Sequence, residues 1–166
     1  MSDAATEFWR FSLAVYASPD VAPACIVLQD RHGKDVNLAL FCCWLGASGR
    51  GRLTRVALDA ADRAVAPWRH DVVERLREAR RAIKAAAVPG SENLYTKAKA
   101  VELEAERVLQ SILVGLAPAA TSARAVSERL GDALENLALY VGDTPAEPLR
   151  AALRVMADDD FASGVA

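Results

Sequence analysis

The sequence predicts an all-α protein: compact N-terminal helices packed on a long antiparallel helical hairpin, followed by one or two further C-terminal helices. Three observations carry this expectation. Of 166 residues, 52% are hydrophobic and 25% charged, with a mean hydropathy of +0.10, which is enough apolar surface to offset the ordering of one domain. Alanine occurs 34 times and arginine outnumbers lysine 16 to 4, favouring helix, while the alternation of a half-buried strand is nowhere sustained. Finally, two long stretches within residues 68–116 repeat apolar side chains in steps of three and four, the spacing of one helix face.

In chain order, Ser2 or Asp3 caps a first helix to about Ala17, stopped by Ser18-Pro19-Asp20, which in turn caps the next. Phe8, Phe11 and Val15 share one side of this helix and Trp9, Leu13 and Tyr16 another. A helix apolar over so much of its girth belongs in a core or an interface. The second helix runs from Val21 to His32, with Pro23 in its tolerated first turn and Gly33 as a left-handed stop. Asp35 caps a third helix from Val36 to about Ala47.

Ser48-Gly49-Arg50-Gly51-Arg52 reads as a flexible basic turn, and Thr54 caps a short helix that ends before Pro67. A long helix follows from Trp68 to about Ala87, with the stripe Val72, Leu76, Ala79, Ile83 and Ala86. Val88-Pro89-Gly90-Ser91 breaks it, and Ser91 caps a helix to about Leu116 with the stripe Leu94, Ala98, Val101, Ala105, Val108 and Ile112. Two such helices joined by a short turn pack antiparallel. A helix from Ser122 to Val141 stops at Gly142, and a weaker one spans Pro145 to Ala157. Residues 1–116 thus form a helical domain containing the hairpin 68–116, and residues 117–166 a helical extension whose end, from Asp158-Asp159-Asp160, frays.

The run from Phe8 to Tyr16, the stretch Leu28-Gln29-Asp30-Arg31-His32-Gly33-Lys34-Asp35-Val36-Asn37, and the later Glu102-Leu103-Glu104-Ala105-Glu106-Arg107 resemble the proteobacterial DUF2390 proteins of unknown function over about residues 6–115. The resemblance implies a bacterial, soluble, helical protein and carries over no activity, cofactor or binding residue.

The densest polar cluster is Gln29, Asp30, Arg31, His32, Asp35 and Asn37. One reading makes it the rim of a pocket for a small molecule or lipid, with Trp9 and Trp44 as aromatic lining and His32 and Asp35 as an acid/base pair. The alternative makes Asp35 a cap, His32 a partner of the preceding helix C-terminus, and the amides satisfiers of a tight turn. Along the hairpin, Arg77, Arg80, Arg81 and Lys84 oppose Glu102 and Glu106, so these six are the candidate interaction residues, pairing along the seam or with a partner.

Several function classes fit poorly. Net charge is −2 with a pI near 5.7, and the basic helix lacks interleaved aromatics, so specific nucleic-acid reading is not expected. The glycine turn 46–52 lacks the lysine-serine ending of a phosphate loop, leaving Arg50 or Arg52 at most to touch a phosphate. Neither histidine follows a glutamate three residues earlier, and Cys25, Cys42 and Cys43 lack zinc-ligand spacing, so no metal and no cofactor are expected. The odd cysteine count and acidic N-terminus suggest a reducing, cytoplasmic setting, and no stretch suits a membrane span. The surplus of apolar stripes over catalytic signatures makes a homo-oligomeric interaction or scaffold protein the leading expectation. A ligand-binding protein with its pocket near residues 29–37 is the alternative, and an enzyme using His32 and Asp35 follows.

Overall fold

The computed structural model describes residues 3–121 and 124–161, so Ser2, an expected cap, and Ser122, the expected start of a helix, lie outside the described residues. All regular structure among those residues is helical: α1 Asp3–Tyr16, α2 Val21–His32, α3 Val36–Ala47, α4 Arg55–Trp68, a π turn Arg69–Val73, α5 Glu74–Ala86, α6 Glu92–Val114, α7 Val126–Val141 and α8 Glu147–Asp158. No single helix among them is long and apolar enough to cross a membrane.

The centre of the fold is α3, whose sequence is apolar all round and whose side chains are buried from Asn37 to Ala47. Such a helix must be surrounded, and α1, α2, α6, α7 and α8 all pack on it. Phe8 stacks on Trp44 at 5.0 Å between ring centroids and meets Phe41 edge-on at 5.8 Å. Against α7 the approach is closer still, because Gly46 sits on the Ala133 backbone. A methyl built there would lie 2.1 Å from the Ala133 nitrogen, so only glycine permits this crossing.

Local stop and start signals behave as their chemistry demands in four places. Gly33, at φ 60°, closes α2 with Gly33 N donating to Gln29 O and Lys34 N to Leu28 O, the paired bonds of a Schellman end. Asp35 Oδ1 accepts from Asn37 N at 2.7 Å and Leu38 N at 3.3 Å to cap α3. Thr54 Oγ1 caps α4 through Ala57 N, and Gly142, at φ 60°, ends α7. Asp20 and Ser91 precede helices without a side-chain capping bond. Asp20 instead takes a left-handed backbone at φ 60°.

Two expectations about breaks give way. The turn 48–54 is anchored rather than flexible: Asn136 accepts from Leu53 N at 2.7 Å and donates to Gly51 O at 3.0 Å. Arg50 pairs with Glu7 at 3.1 Å and Arg52 with Asp132 at 2.9 Å. Pro67 does not end a helix either. The rod is continuous over residues 55–86: Pro67 lies in the last turn of α4, and a five-residue π turn follows directly and leads into α5.

Helices α5 and α6 run antiparallel, since Arg77 reaches Glu106 while Arg80 reaches Glu102. The stripes predicted the pair but not its phase. Facing inward on α6 are Glu102, Ala105, Leu109, Gln110 and Leu113, while Leu94, Val101 and Val108 from the expected stripe stay exposed. No α5 residue is fully buried. At the C-terminal end the fray expected from Asp158 does not hold as far as Phe161: Phe161 is buried beneath the Arg129 guanidinium, and Asp160 pairs with Arg129 at 2.9 Å.

Candidate functional site

Between the N-terminal helices and the α5–α6 pair lies a cavity of about 550 Å³, within the range that holds small organic ligands. Its origin is the double-sided α1. Phe8, Phe11 and Val15 fill the core, which leaves Trp9, Leu13 and Tyr16 on the other side as an apolar wall. Ile26 from α2 and Leu103 from α6 extend that wall.

The floor is polar and internally bonded. Gln110 Nε2 donates to Asn37 Oδ1 at 2.9 Å and to Ser12 Oγ at 3.1 Å, while Ser12 Oγ reaches Phe8 O at 2.9 Å. All three residues are buried and line the cavity. Buried amides and hydroxyls must be paired to avoid a desolvation cost of about 1–3 kcal/mol each, and this chain ties α1, α3 and α6 together.

The opposite side is cationic. Arg77, Arg80, Arg81, Lys84 and Lys99 line it, against Glu102 and Glu106. Arg77 Nε lies 3.2 Å from Glu102 and its Nη2 lies 2.9 Å from Glu106, while Arg80 joins Glu102 from the other side. Arg81 Nη2 holds both oxygens of Asp30 at 2.9 and 3.1 Å. That contact ties the end of α2 to the hairpin and lowers the Asp30 pKa below the usual carboxylate range. Lys84 and Lys99 make no ion pair among the described residues.

Burial leaves its mark on the titrating groups at the site. It pushes the Cys25 thiol up to about 12, so Cys25 presents a protonated, weakly nucleophilic sulfur. It also raises Glu106, which the Arg77 charge only partly offsets, and Tyr16, to which Cys25 and Glu106 add.

A second, polar cavity of about 300 Å³ adjoins the π turn and shares Gln29, Asn37 and Arg77 with the first. Its charged groups are already engaged. Arg69 bridges Asp62 at 2.7 Å and Asp35 at 3.2 Å, His70 Nδ1 lies 2.9 Å from Glu74, and Lys34 Nζ donates to Tyr140 O.

The candidate residues therefore divide. Gln29, Asn37 and Trp9 come together with Arg77, Arg80, Arg81, Lys84, Glu102 and Glu106 around one cavity, joining two sets that sequence placed separately. Asp30 stands outside it as the partner of Arg81. His32 is exposed and lines neither cavity, while Asp35 is occupied by its cap and by Arg69. The proposed acid/base pair is thus not assembled. Trp44 is a core residue, fully buried with Nε1 on Glu7 and Arg50 stacked 4.1 Å from its ring. Ser12, Tyr95, Lys99 and Gln110 were not singled out by sequence reasoning. The signal for Gln110 was an amide set among Leu109, Ile112 and Leu113.

Among the described residues, no three His, Cys, Asp or Glu side chains gather as a metal site. Cys25, Cys42 and Cys43 are free, buried thiols. No curated protein and no solved structure matches the chain. A family model, protein of unknown function DUF2390, matches residues 7–113, a span that contains every residue lining the larger cavity and leaves α7 and α8 outside. The chain belongs to the DUF2390 family.

Proposed function

We propose that the protein binds a small amphipathic anion, a molecule with an apolar body and a carboxylate or phosphate end. The observation that carries this reading is the division of one 550 Å³ cavity into an apolar wall on α1 and α2 and a cationic wall on α5 and α6. The body would lie along Trp9, Leu13, Ile26 and Leu103, and the charged end would meet Lys84 and Lys99, whose charges no carboxylate neutralises among the described residues. An anion is favoured over a cation because the lining carries three more basic than acidic residues: Arg77, Arg80, Arg81, Lys84 and Lys99 against Glu102 and Glu106. Binding rather than catalysis fits the paired state of Asp35 and the protonated state of Cys25. The three buried thiols suit a reducing compartment such as a bacterial cytoplasm.

Native mass spectrometry of protein purified from its own host tests this together with titration by a fluorescent aryl sulfonate and competing fatty acids. One saturable site per chain is expected. Lys84→Glu combined with Lys99→Glu should weaken it at least about tenfold, equivalent to about 1.4 kcal/mol, with an unchanged melting temperature. Equal binding by the doubly substituted chain, or no saturable site, overturns the reading.

A further inference from the structure

The outer edge of α6 is an unpartnered stripe. Leu94, Val101 and Val108 are 56%, 52% and 44% exposed, and their spacing of seven places them in one row. The cavity residues Glu102, Leu103, Glu106 and Gln110 occupy other faces of the same helix, so this row stands apart from the proposed ligand site. Beside it lie Lys97, which has no ion pair among the described residues, and Glu104, 70% exposed and paired with Arg107 one turn on at 3.3 Å.

This pattern is self-complementary. At about 1.5 Å of rise per residue, Leu94 and Val108 lie about 10.5 Å on either side of Val101, while Lys97 lies about 6 Å before it and Glu104 about 4.5 Å after it. A second copy laid antiparallel about a two-fold axis at Val101 brings each Leu94 level with the other copy's Val108. It also brings each Lys97 to within about 1.5 Å of the level of the other copy's Glu104. A rotation about an axis perpendicular to the helices keeps both charged flanks on the same side of the joined stripes. Every contact is then made twice, as an isologous interface requires. We infer that the α6 edge is a homodimer interface, with Val101 on the symmetry axis and two Lys97–Glu104 pairs flanking an apolar seam. A parallel arrangement, about an axis along the helices, would put the two charged flanks on opposite sides of the seam with like charges level, so only the antiparallel one forms the Lys97–Glu104 pairs.

Sedimentation velocity of the full chain between about 1 and 100 µM reads the outcome, because a single-helix seam of this length falls at the weak end of specific interfaces. A monomer–dimer equilibrium is expected in that range. Val101→Glu, which puts two carboxylates on the axis, should give monomer throughout. Lys97→Glu and Glu104→Lys should each weaken association about tenfold, since each substitution counts twice. The two together should restore it to within about threefold of the original. All three positions are exposed, so folding is not at stake, and unchanged melting temperatures check this. Wild-type monomer at about 100 µM, a dimer indifferent to Val101→Glu, or charge reversal without rescue would each sink the assignment.

Discussion

The α3–α7 crossing and the α5–α6 pair are both two-helix contacts, yet different physics holds each. Helix α3 is buried almost along its length and meets α7 through glycine on backbone, with Leu137 and Val141 completing an apolar contact. Helix α5 has no fully buried residue and is held to α6 mainly by Arg77 and Arg80 on Glu102 and Glu106. The first contact depends on shape, and a single atom can break it. The second depends on charge, is partly open to water, and leaves room for a ligand. A rigid base carrying a polar, less tightly packed arm is the arrangement expected where a site must admit something.

Gly46→Ala attacks the first contact and should have the largest effect. Its methyl would overlap the Ala133 nitrogen, Ala133 Cα and Asp132 carbonyl carbon, forcing the helices apart at a cost of about 4 kcal/mol or more. Urea unfolding followed by circular dichroism would register this. The same substitution at Gly131 in α7, where a methyl meets open space, should be neutral or stabilise by up to about 1 kcal/mol. Equal effects at the two positions would refute the close crossing.

Glu102→Ala attacks the second contact. It strips Arg77 and Arg80 of a carboxylate whose side chain is only 9% exposed, with a loss of about 3 kcal/mol expected in the same unfolding assay. Glu102→Gln should recover part of that. If neither change is felt, the arm is held by its half-buried apolar residues instead.

Alkaline pH sharpens the contrast, because the three thiols are buried and two of them lie on α3. Burial raises Cys25 and Cys42 to about 12 and Cys43 well above its ordinary value, whereas an unfolded thiol titrates near 9. The unfolded chain therefore releases these protons first. The stability that the neutral thiols contribute is complete below pH 9 and declines above it, by up to about 1.4 kcal/mol per pH unit for each thiol. Urea midpoints at pH 8, 9 and 10 should fall progressively, and Cys42→Ala should flatten the decline. A midpoint constant to pH 10 would show that the thiols are accessible.

What could be read from sequence was what local chemistry decides. Gly33, Asp35, Thr54 and Gly142 end or begin helices through bonds to residues within a few positions, so they were legible one at a time. The phase of α6 was not legible, because hydrophobic periodicity assumes that the inward face is apolar. Here Glu102 and Gln110 point inward toward a cavity and apolar side chains point out. The same cause hid half the site. Gln29 and Asn37 stood out beside a turn, but Ser12 and Gln110 acquire meaning only when helices 98 residues apart in sequence meet. His32 and Trp44 misled because residue type alone does not give direction. One points to water and the other to the core.

The wide turn at Arg69–Val73 settles how the cations are aimed. In a regular α-helix each added residue swings everything beyond it by about 100°, which would carry Arg77, Arg80, Arg81 and Lys84 off the cavity. A turn of π geometry holds about one residue more than an α turn, so the azimuth beyond it differs by about one residue's step from that of an unbroken helix. Residues 55–86 therefore act as a single lever, and the phase set at that joint puts Arg77, Arg80, Arg81 and Lys84 on the cavity.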